Sequence, residues 1–455
     1  MAETLPGLYR FALGVLIFTA FLTQAKFIPS IRNNVGPFEV AGLLMIAVFF
    51  LSPHTLRPLA FNATTRAALG ILVISLVSQL NIPETRRLAG LIAVAIQVFF
   101  ALFLIVLYNL LRQHRVGPQT ILRWVTLALL VVGPWIIIVG LGSQEMIQEV
   151  GPFRNRAHMA SYMLTAFWMA LVYSQWPGLR TRSRLIAYSC VAMTLYAVAV
   201  AGRRSVYLSL IVGLAALGAT FLVATRQKRW RLVVAGVFVV GIIYAMYQYG
   251  PRFLPQLEFF QTRVGMIDER LGDALAVSAE AAEEGSFFAL QREGIRHAFT
   301  THPLLGIGWG GFAKSHYSPT GHEVHSTPLR FLAETGLAGF LLYLTLMISL
   351  LRSAWLAFLW MRGTPYGNAY LVLALGFTSL LLSYAYNRHV TERTFWLLIA
   401  VIFAAELFAH RYHALARETM ATPAEGAPEI ASDPSPSRQL GATPAISEPW
   451  APLTW

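Results

Sequence analysis

Residues 288–343 read FALQREGIRHAFTTHPLLGIGWGGFAKSHYSPTGHEVHSTPLRFLAETGLAGFLLY and concentrate the polar groups of a largely apolar chain. The stretch opens with two arginines, Arg292 and Arg296, and passes into a glycine-rich run at 306–312. A histidine-dense segment then leads directly into an apolar stretch that carries Glu334. Most of the remaining chain consists of apolar blocks. We therefore expect the polar groups that carry the chemistry of the protein to lie in residues 288–343.

The composition around this stretch is that of a membrane protein. Of the 455 residues, 56% are hydrophobic and 13% are charged, whereas soluble domains carry about a quarter charged residues. The apolar residues fall in blocks close to the roughly 20 residues that cross a bilayer as a helix. The single cysteine, Cys190, lies inside one such block and is expected to be a small packing residue. The sequence therefore predicts an all-α, polytopic integral membrane protein.

Hydropathy divides the chain into about twelve predicted transmembrane helices. One long loop, residues 250–327, is expected to contain short helices, and its middle at 268–284 is acidic and rich in alanine. The predicted spans cover residues 8–26, 36–51, 67–82, 88–111, 121–141, 158–176, 185–201, 205–224, 232–249, 328–351, 370–386 and 395–410.

Basic residues in short loops predict the orientation of these spans. With the N-terminus in the cytoplasm, the inside loops hold many arginines and almost no acidic residues, as the positive-inside rule requires. The long loop 250–327 is then outside, and an even number of spans returns the C-terminus to the inside. Residues 1–417 form the predicted membrane domain. Residues 418–455, which are rich in Pro, Ala, Ser and Glu, form a predicted disordered cytoplasmic tail.

Arginines are also frequent in the predicted outside loops, which the positive-inside rule does not explain. An anionic ligand at the outer membrane surface is a direct explanation, because guanidinium binds phosphate through a rigid bidentate fork. The net charge of +13 includes no basic run with interleaved aromatic residues, so nucleic acid is not an expected partner. The outside arginines are Arg86, Arg87, Arg154, Arg156, Arg203, Arg204, Arg292, Arg296, Arg388 and Arg393.

Three arginine pairs are candidates for binding this anion. Arg292 and Arg296 are one helical turn apart and can face one ligand, although charges on an interfacial helix can also simply extend into the headgroups. Arg203 and Arg204 lie between two spans with almost no loop, where two adjacent cations need an anionic partner. The third pair, Arg154 and Arg156, stands at the mouth of the sixth span, and there the binding and non-binding interpretations are about even.

His325 lies just before the tenth span, after the long outside loop, and is the candidate catalytic residue. Its imidazole could act as a general base on a hydroxyl group or hold the acceptor by a hydrogen bond. An interfacial histidine without a special role is the alternative, and His302, His316 and His322 compete for the same role. We expect no metal site, because there is no helical pair of histidines at i, i+4 and no cysteine beside these residues.

The glycine-rich run is not a nucleotide loop, because it lacks the lysine and the following Ser or Thr of a P-loop. It is expected to let the backbone turn tightly over the membrane surface. In the helix that follows, Glu334 is expected to pair with Arg330 at i, i+4. Gly336 and Gly339 are expected to let another helix approach closely.

The order of these motifs resembles the O-antigen ligase family, which shares a domain with O-antigen polymerases and bacterial O-oligosaccharyltransferases. The resemblance covers roughly residues 151–351 and departs from the family at Ser326, where asparagine is usual, and at Arg203, where serine is usual. The motifs that carry it are Phe153-Arg154-Asn155, Arg203-Arg204-Ser205 with Arg204 as the family arginine, Arg292, the run His302 to Phe312, His325, and Glu334-Thr335-Gly336-Leu337-Ala338-Gly339.

The resemblance implies a glycosyltransferase of the bacterial inner membrane with its active site on the periplasmic side. The implied donor is a glycan on undecaprenyl pyrophosphate, and the implied acceptor is the lipid A–core oligosaccharide. His325 would serve as base and the arginines as a pyrophosphate clamp, without a cofactor. An O-antigen polymerase or a protein O-oligosaccharyltransferase is the alternative within this class. A flippase or transporter is a further alternative, disfavoured because transporters place charges near the midplane and contain internal repeats.

Overall fold

The computed structural model describes residues 7–22, 36–51, 58–142, 156–201, 204–224, 287–386 and 392–421. Within these ranges the chain forms twelve α-helices and no strand, which confirms the predicted all-α fold. The helices are α1 Gly7–Ala20, α2 Pro37–Leu51, α3 Ala63–Val77, α4 Arg87–Gln113, α5 Pro118–Gly142, α6 Arg156–Ser174, α7 Thr181–Ala201, α8 Arg204–Ala224, α9 Phe287–Thr301, α10 Thr327–Met361, α11 Gly367–Tyr386 and α12 Arg393–Ala421.

The apolar blocks become helices because only a helix satisfies all of its own backbone hydrogen bonds in a lipid environment, short of a closed barrel. Six helical segments among the described residues are long and apolar enough to cross a membrane. The protein is therefore a multi-pass membrane protein, and the number of about twelve spans stays a prediction. The six segments are Ala63–Asn81, Glu84–Gln113, Pro118–Ile137, Thr327–Met361, Gly367–Tyr386 and Arg393–Arg417.

Each predicted span except the ninth overlaps one of the twelve α-helices, and the ninth, residues 232–249, lies outside the described residues. The helix α9, at Phe287–Thr301, belongs to the long loop, of which residues 250–286 also lie outside the described ranges. The last helix, α12, continues to Ala421, so the first four residues of the predicted tail, 418–421, are helical. The remainder of the tail, residues 422–455, lies outside the described residues.

Contacts between loops place the predicted outside segments together at one end of the helix bundle. Gln79, which follows α3, donates to the Trp309 carbonyl at 3.1 Å, and Ser326 donates to the Ala385 carbonyl at 2.7 Å. At the opposite end, Arg411 of α12 donates to the Arg112 carbonyl at 2.8 Å. The glycine-rich run and the start of α10 therefore share one end of the bundle with the α3–α4 connection.

The start of α12 is fixed at this outer end by a buried ion pair with α2. Arg393 donates from Nε and Nη2 to the two carboxylate oxygens of Glu39, each at 2.9 Å, and from Nη1 to the Leu22 carbonyl at 3.1 Å. Glu84 similarly accepts from Arg87 at 2.9 Å. Arg393 therefore needs no anionic ligand, because the buried Glu39 carboxylate balances its charge, whereas the pair of Arg87 with Glu84 lies at the exposed surface.

We expect the N-terminus and the end of α12 to lie in the cytoplasm and the long loop to lie outside. Reporter fusions after Gly250 and after Ala421 should therefore report opposite compartments, because three predicted spans separate the two fusion points and an odd number of spans changes the side of the membrane. Compartment-specific reporters, such as one active only in the periplasm and one active only in the cytoplasm, provide the measurement. The same compartment for both fusions would contradict the even span count.

Candidate active site

The site is organised around a break in α10 at Gly336. This residue has φ 64° and ψ −163°, which interrupts the helix six residues after Arg330. A break releases backbone carbonyls that a regular helix would have used, and each requires another partner. The glycine-rich run supplies two of the donors: the Ile307 amide donates to the Ala333 carbonyl at 3.1 Å, and the Gly308 amide donates to the Glu334 carbonyl at 3.0 Å.

The amides after the break pair in the same way with carbonyls of the turn that precedes the glycine-rich run. Leu337 donates to the Pro303 carbonyl at 2.8 Å, and Ala338 donates to the Leu304 carbonyl at 3.2 Å. Four backbone hydrogen bonds therefore connect residues 303–308 to residues 333–338. The glycine-rich run forms a docked structural part of α10 rather than a loop that only covers the membrane surface.

Glycine is required where the two backbones meet. A Cβ atom on Gly336 would collide with the Leu304 carbonyl group and stand 2.6 Å from the Gly306 nitrogen. A Cβ atom on Gly306, which has φ 66°, would collide with the backbone between Glu334 and Thr335. The expectation that Gly336 admits another helix is therefore wrong. Gly336 admits the glycine-rich run, and Gly339 faces the Thr335 side chain of its own helix.

Gly336→Ala should destabilise the folded protein by about 1–3 kcal/mol from backbone strain alone, with the steric clash adding to it. Thermal unfolding in detergent measures the effect. Gly321→Ala is the matched control, because Gly321 also has a positive φ of 69° but a methyl group added there would have no neighbouring atom within 4 Å. Equal losses of stability in the two variants would contradict the docking role of Gly336.

The Glu334 side chain also anchors the glycine-rich run, in addition to the backbone hydrogen bonds. It is fully buried and accepts hydrogen bonds from the Gly310 amide at 2.9 Å and the Phe312 amide at 3.3 Å. Its third partner is Arg330, whose Nε donates at 2.8 Å, which confirms the expected i, i+4 pair. Hydrogen bonds to an ionised carboxylate are stronger than neutral ones, so this residue is a main anchor of the run.

Arg330 connects this anchor to the surrounding loop. Its guanidinium carbon lies 4.5 Å from the centroid of the Trp309 ring, and its Nη1 lies 3.6 Å from the Glu323 carboxylate. The guanidinium thus contacts the glycine-rich run and the histidine-dense segment at once. It serves as a structural cation of the site, because two carboxylates and an aromatic face occupy its surroundings.

Polar residues after α3 support the other side of the glycine-rich run. Ser78 accepts from the Trp309 amide at 3.3 Å, Gln79 donates to the Trp309 carbonyl at 3.1 Å, and Asn81 donates to the Gly306 carbonyl at 3.0 Å. None of the three is among the residues predicted from the sequence. The only signal for them is a cluster of amides and a hydroxyl at the end of an apolar block.

The helix α9 packs on this assembly through one face and presents its arginines outside that face. Ile295 and Ala298 of α9 are buried in a small cluster with residues of the glycine-rich run and of α10. Arg292 and Arg296 are exposed, one turn apart, outside this buried face. The predicted common orientation of this arginine pair is consistent with the burial pattern. The cluster comprises Ile295, Ala298, Ile307, Phe312, Tyr317, Val324 and Ala333.

Gln291 links the arginine helix to the candidate catalytic histidine. Its side chain is buried, donates to the Glu323 carbonyl at 2.9 Å, and accepts from the His325 amide at 3.4 Å. Arg292 follows Gln291 directly, so α9 carries a cation one residue away from the group that fixes the backbone of His325. His325 itself is half-buried. Gln291 is a further residue of the site that the sequence motifs did not indicate.

Ser326, the departure from the family asparagine, has a structural role. Its hydroxyl donates to the Ala385 carbonyl at the end of α11 and accepts from the Leu329 amide as the N-cap of α10. A serine at this position satisfies an amide that the first helical turn leaves unpaired. It therefore fixes the residue after His325 to the outer end of the bundle.

The other candidate residues do not take part in the contacts described above, or they lie outside the described residues. His316 is exposed, and its ring centroid lies 3.9 Å from that of Tyr317 with the two rings tilted by 40°. The Nδ1 of His322 lies 2.6 Å from the Thr320 carbonyl oxygen. The described residues contain no group of three His, Cys, Asp or Glu side chains that could hold a metal ion. Arg154 and Arg203 lie outside the described residues, and of Arg156 and Arg204 the structure describes only the backbone, at the starts of α6 and α8.

Residues 188–344 match the family model described as O-antigen ligase. This match, over about a third of the chain, supports membership of the O-antigen ligase family. The matched segment runs from α7 into α10 and contains α9, the glycine-rich run, His325 and Glu334. The matched domain supports a glycosyltransferase-like function of the ligase, polymerase or oligosaccharyltransferase type. No curated protein matches the chain in sequence.

Proposed function

We propose that the protein is an O-antigen ligase of the bacterial inner membrane that works on the periplasmic face. It transfers a glycan from undecaprenyl pyrophosphate to the lipid A–core oligosaccharide. His325 is the catalytic residue. Arg204 and Arg292 bind the donor pyrophosphate, with Arg203, Arg296, Arg154 and Arg156 as neighbouring cations at the same surface.

One observation supports this proposal most directly: the link from Gln291 to His325. Gln291 accepts from the His325 amide at 3.4 Å, and the adjacent Arg292 is exposed on α9. A half-buried imidazole and a pair of exposed guanidinium groups thus share one framework at the outer end of the bundle. This is the arrangement that a reaction between a hydroxyl group and a lipid pyrophosphate ester needs.

The reaction forms a bond between the acceptor hydroxyl oxygen and the anomeric carbon of the donor glycan. The bond from that carbon to the pyrophosphate oxygen breaks, and undecaprenyl pyrophosphate leaves with the bonding electron pair. The imidazole of His325 accepts the hydroxyl proton, or positions the hydroxyl until its proton is lost. The arginines stabilise the negative charge that develops on the leaving pyrophosphate. The donor is already activated, so the step needs no nucleotide.

Purified protein incubated with lipid-linked glycan and lipid A–core should form the joined product without nucleotide or divalent metal. We expect the product in the presence of a strong chelator, because fixed arginine charges take the role that a metal would have. Gel analysis of glycan attached to lipid A–core measures it. A loss of activity that only divalent metal restores would contradict the mechanism.

The same incubation separates the ligase from the alternatives. A polymerase would extend the lipid-linked glycan when lipid A–core is omitted, and a protein O-oligosaccharyltransferase would require a protein or peptide acceptor. Product that forms only with those substrates would overturn the proposed acceptor while leaving the lipid-linked donor in place. Movement of lipid-linked glycan across vesicle membranes without a joined product would indicate a transporter instead.

A further inference from the structure

Arg86 occupies a position at the glycine-rich run that is separate from the proposed histidine and pyrophosphate-binding arginines. It ends the short 3₁₀ helix Glu84–Arg86 in the connection between α3 and α4. Its Nη2 lies 3.4 Å from the Gly310 carbonyl oxygen, a long distance for a hydrogen bond from a charged donor. Its Nε atom is buried and has no hydrogen-bond partner among the residues that the structure describes. The guanidinium is therefore held in place by the run but is poorly satisfied by it.

Three other arginines at this end of the bundle differ from Arg86 in having a carboxylate partner. Arg87 lies 2.9 Å from Glu84, Arg330 lies 2.8 Å from Glu334, and Arg393 lies 2.9 Å from Glu39. Within the part of the chain that the structure describes, Arg86 forms no ion pair. A buried donor without a partner is unfavourable, and the adjacent Glu84 is directed to Arg87 rather than to Arg86.

The surroundings of Arg86 favour an anion. Gly310 is held between two charged groups, since its amide donates to Glu334 at 2.9 Å and its carbonyl faces Arg86 at 3.4 Å. Arg86 also precedes α4, a helix of 27 residues that has no acidic residue in its first turn. The positive end of the helix dipole adds to the charge of the guanidinium there.

We propose that Arg86 binds a phosphate group of a lipid substrate at the outer membrane surface. The inference rests on the proposed function, because both substrates of that reaction are phosphate-bearing lipids. The phosphate comes from the pyrophosphate of the polyprenyl donor or from the phosphates of the lipid A acceptor. A guanidinium suits either group, because its fixed fork of donors matches phosphate oxygens and it stays charged at every physiological pH.

Binding of four probes to the full-length protein in detergent tests this assignment. The probes are undecaprenyl pyrophosphate, undecaprenol, bisphosphorylated lipid A and dephosphorylated lipid A. The variants are Arg86→Gln and Arg86→Lys, with Arg87→Gln as matched control, because Arg87 is adjacent, exposed and paired with Glu84. We expect Arg86→Gln to bind one phosphate-bearing probe about 10- to 100-fold more weakly, as for loss of a charged hydrogen bond. Arg86→Lys should be intermediate, and Arg87→Gln should stay within about twofold of the wild type.

The choice of probe identifies the source of the phosphate. Weakening confined to undecaprenyl pyrophosphate assigns Arg86 to the donor, and weakening confined to bisphosphorylated lipid A assigns it to the acceptor. Affinity for undecaprenol and for dephosphorylated lipid A should stay unchanged in all variants, since these probes have no phosphate for Arg86 to contact.

Two outcomes overturn the inference about Arg86 alone. In the first, the wild type prefers a phosphate-bearing probe over its neutral counterpart, and Arg86→Gln retains that preference in full. In the second, Arg86→Gln only lowers the thermal midpoint while its folded fraction binds normally, which makes Arg86 a tether for Gly310. If the wild type itself shows no preference for either phosphate-bearing probe, the proposed function fails, and the role of Arg86 fails with it.

Discussion

His325→Ala should abolish glycan transfer while the protein still inserts, folds and binds the donor. Positioned general bases contribute about 10²- to 10⁴-fold to a rate, so the residual transfer should be at or below the limit of detection. The structure adds a reason beyond sequence position: His325 is half-buried, and its amide donates to Gln291 at 3.4 Å. Removal of the ring should leave this backbone bond intact, and the loss should therefore appear in kcat.

His322→Ala is the matched control for this experiment. His322 belongs to the same segment but is exposed, and its ring lies against the Thr320 carbonyl. It should retain near-normal transfer. A third variant, His325→Gln, keeps a hydrogen-bonding side chain but cannot take up a proton. Near-normal transfer by a membrane-inserted His325→Ala protein would contradict the catalytic assignment, and activity in His325→Gln alone would show that the residue only positions the hydroxyl.

Arg204→Lys and Arg292→Lys should each impair transfer clearly, because lysine keeps the charge but loses the bidentate fork that grips a phosphate. The alanine variants should lose about 2–4 kcal/mol of transition-state stabilisation, the loss that follows removal of one oxyanion-type donor. This corresponds to a decrease of about 10²- to 10³-fold in kcat. Transfer kinetics with a saturating acceptor concentration measure the effect.

The control for the arginine variants is Arg362→Ala. Arg362 is an exposed arginine that follows α10 at the end of the bundle opposite the site. Its loss changes the net charge by the same amount without removing a charge from the outer surface. Full activity in both outside lysine variants, or an equal loss in Arg362→Ala, would contradict the pyrophosphate clamp. Normal transfer in Arg204→Lys alone would leave Arg292 as the only clamp residue of the two.

Much of the fold follows from local properties of the sequence. The apolar blocks predict the helices well because the bilayer requires each span to satisfy its own backbone, so length and hydropathy are sufficient. The Arg330–Glu334 pair was predictable for a related reason, since residues four apart share a helix face whatever the helix packs against. The motif order from 292 to 339 was sufficient to indicate the family, because it depends only on residue types and spacing.

The helix break at Gly336 could not be read from the sequence. Glu334, Gly336 and Gly339 lie in a continuous apolar pattern that indicates an unbroken helix with small packing positions. The break is accompanied by the docking of residues 303–308, whose four backbone hydrogen bonds replace the two that a regular helix would have made between residues 333–334 and 337–338. Whether the helix breaks depends on a segment elsewhere in the chain, and the local sequence pattern contains no information about that segment.

The sequence by itself indicated the helices and the polar segment, and it predicts the orientation and the candidate histidine and arginines. Only the tertiary structure decided which charges are already balanced and which residues support the site. Glu39 and Arg393 are 354 positions apart, and Gln79 and Trp309 are 230 positions apart. The physical reason is that hydropathy and helical spacing act over a few turns, whereas ion pairs and loop docking depend on which helix ends the packed bundle brings together.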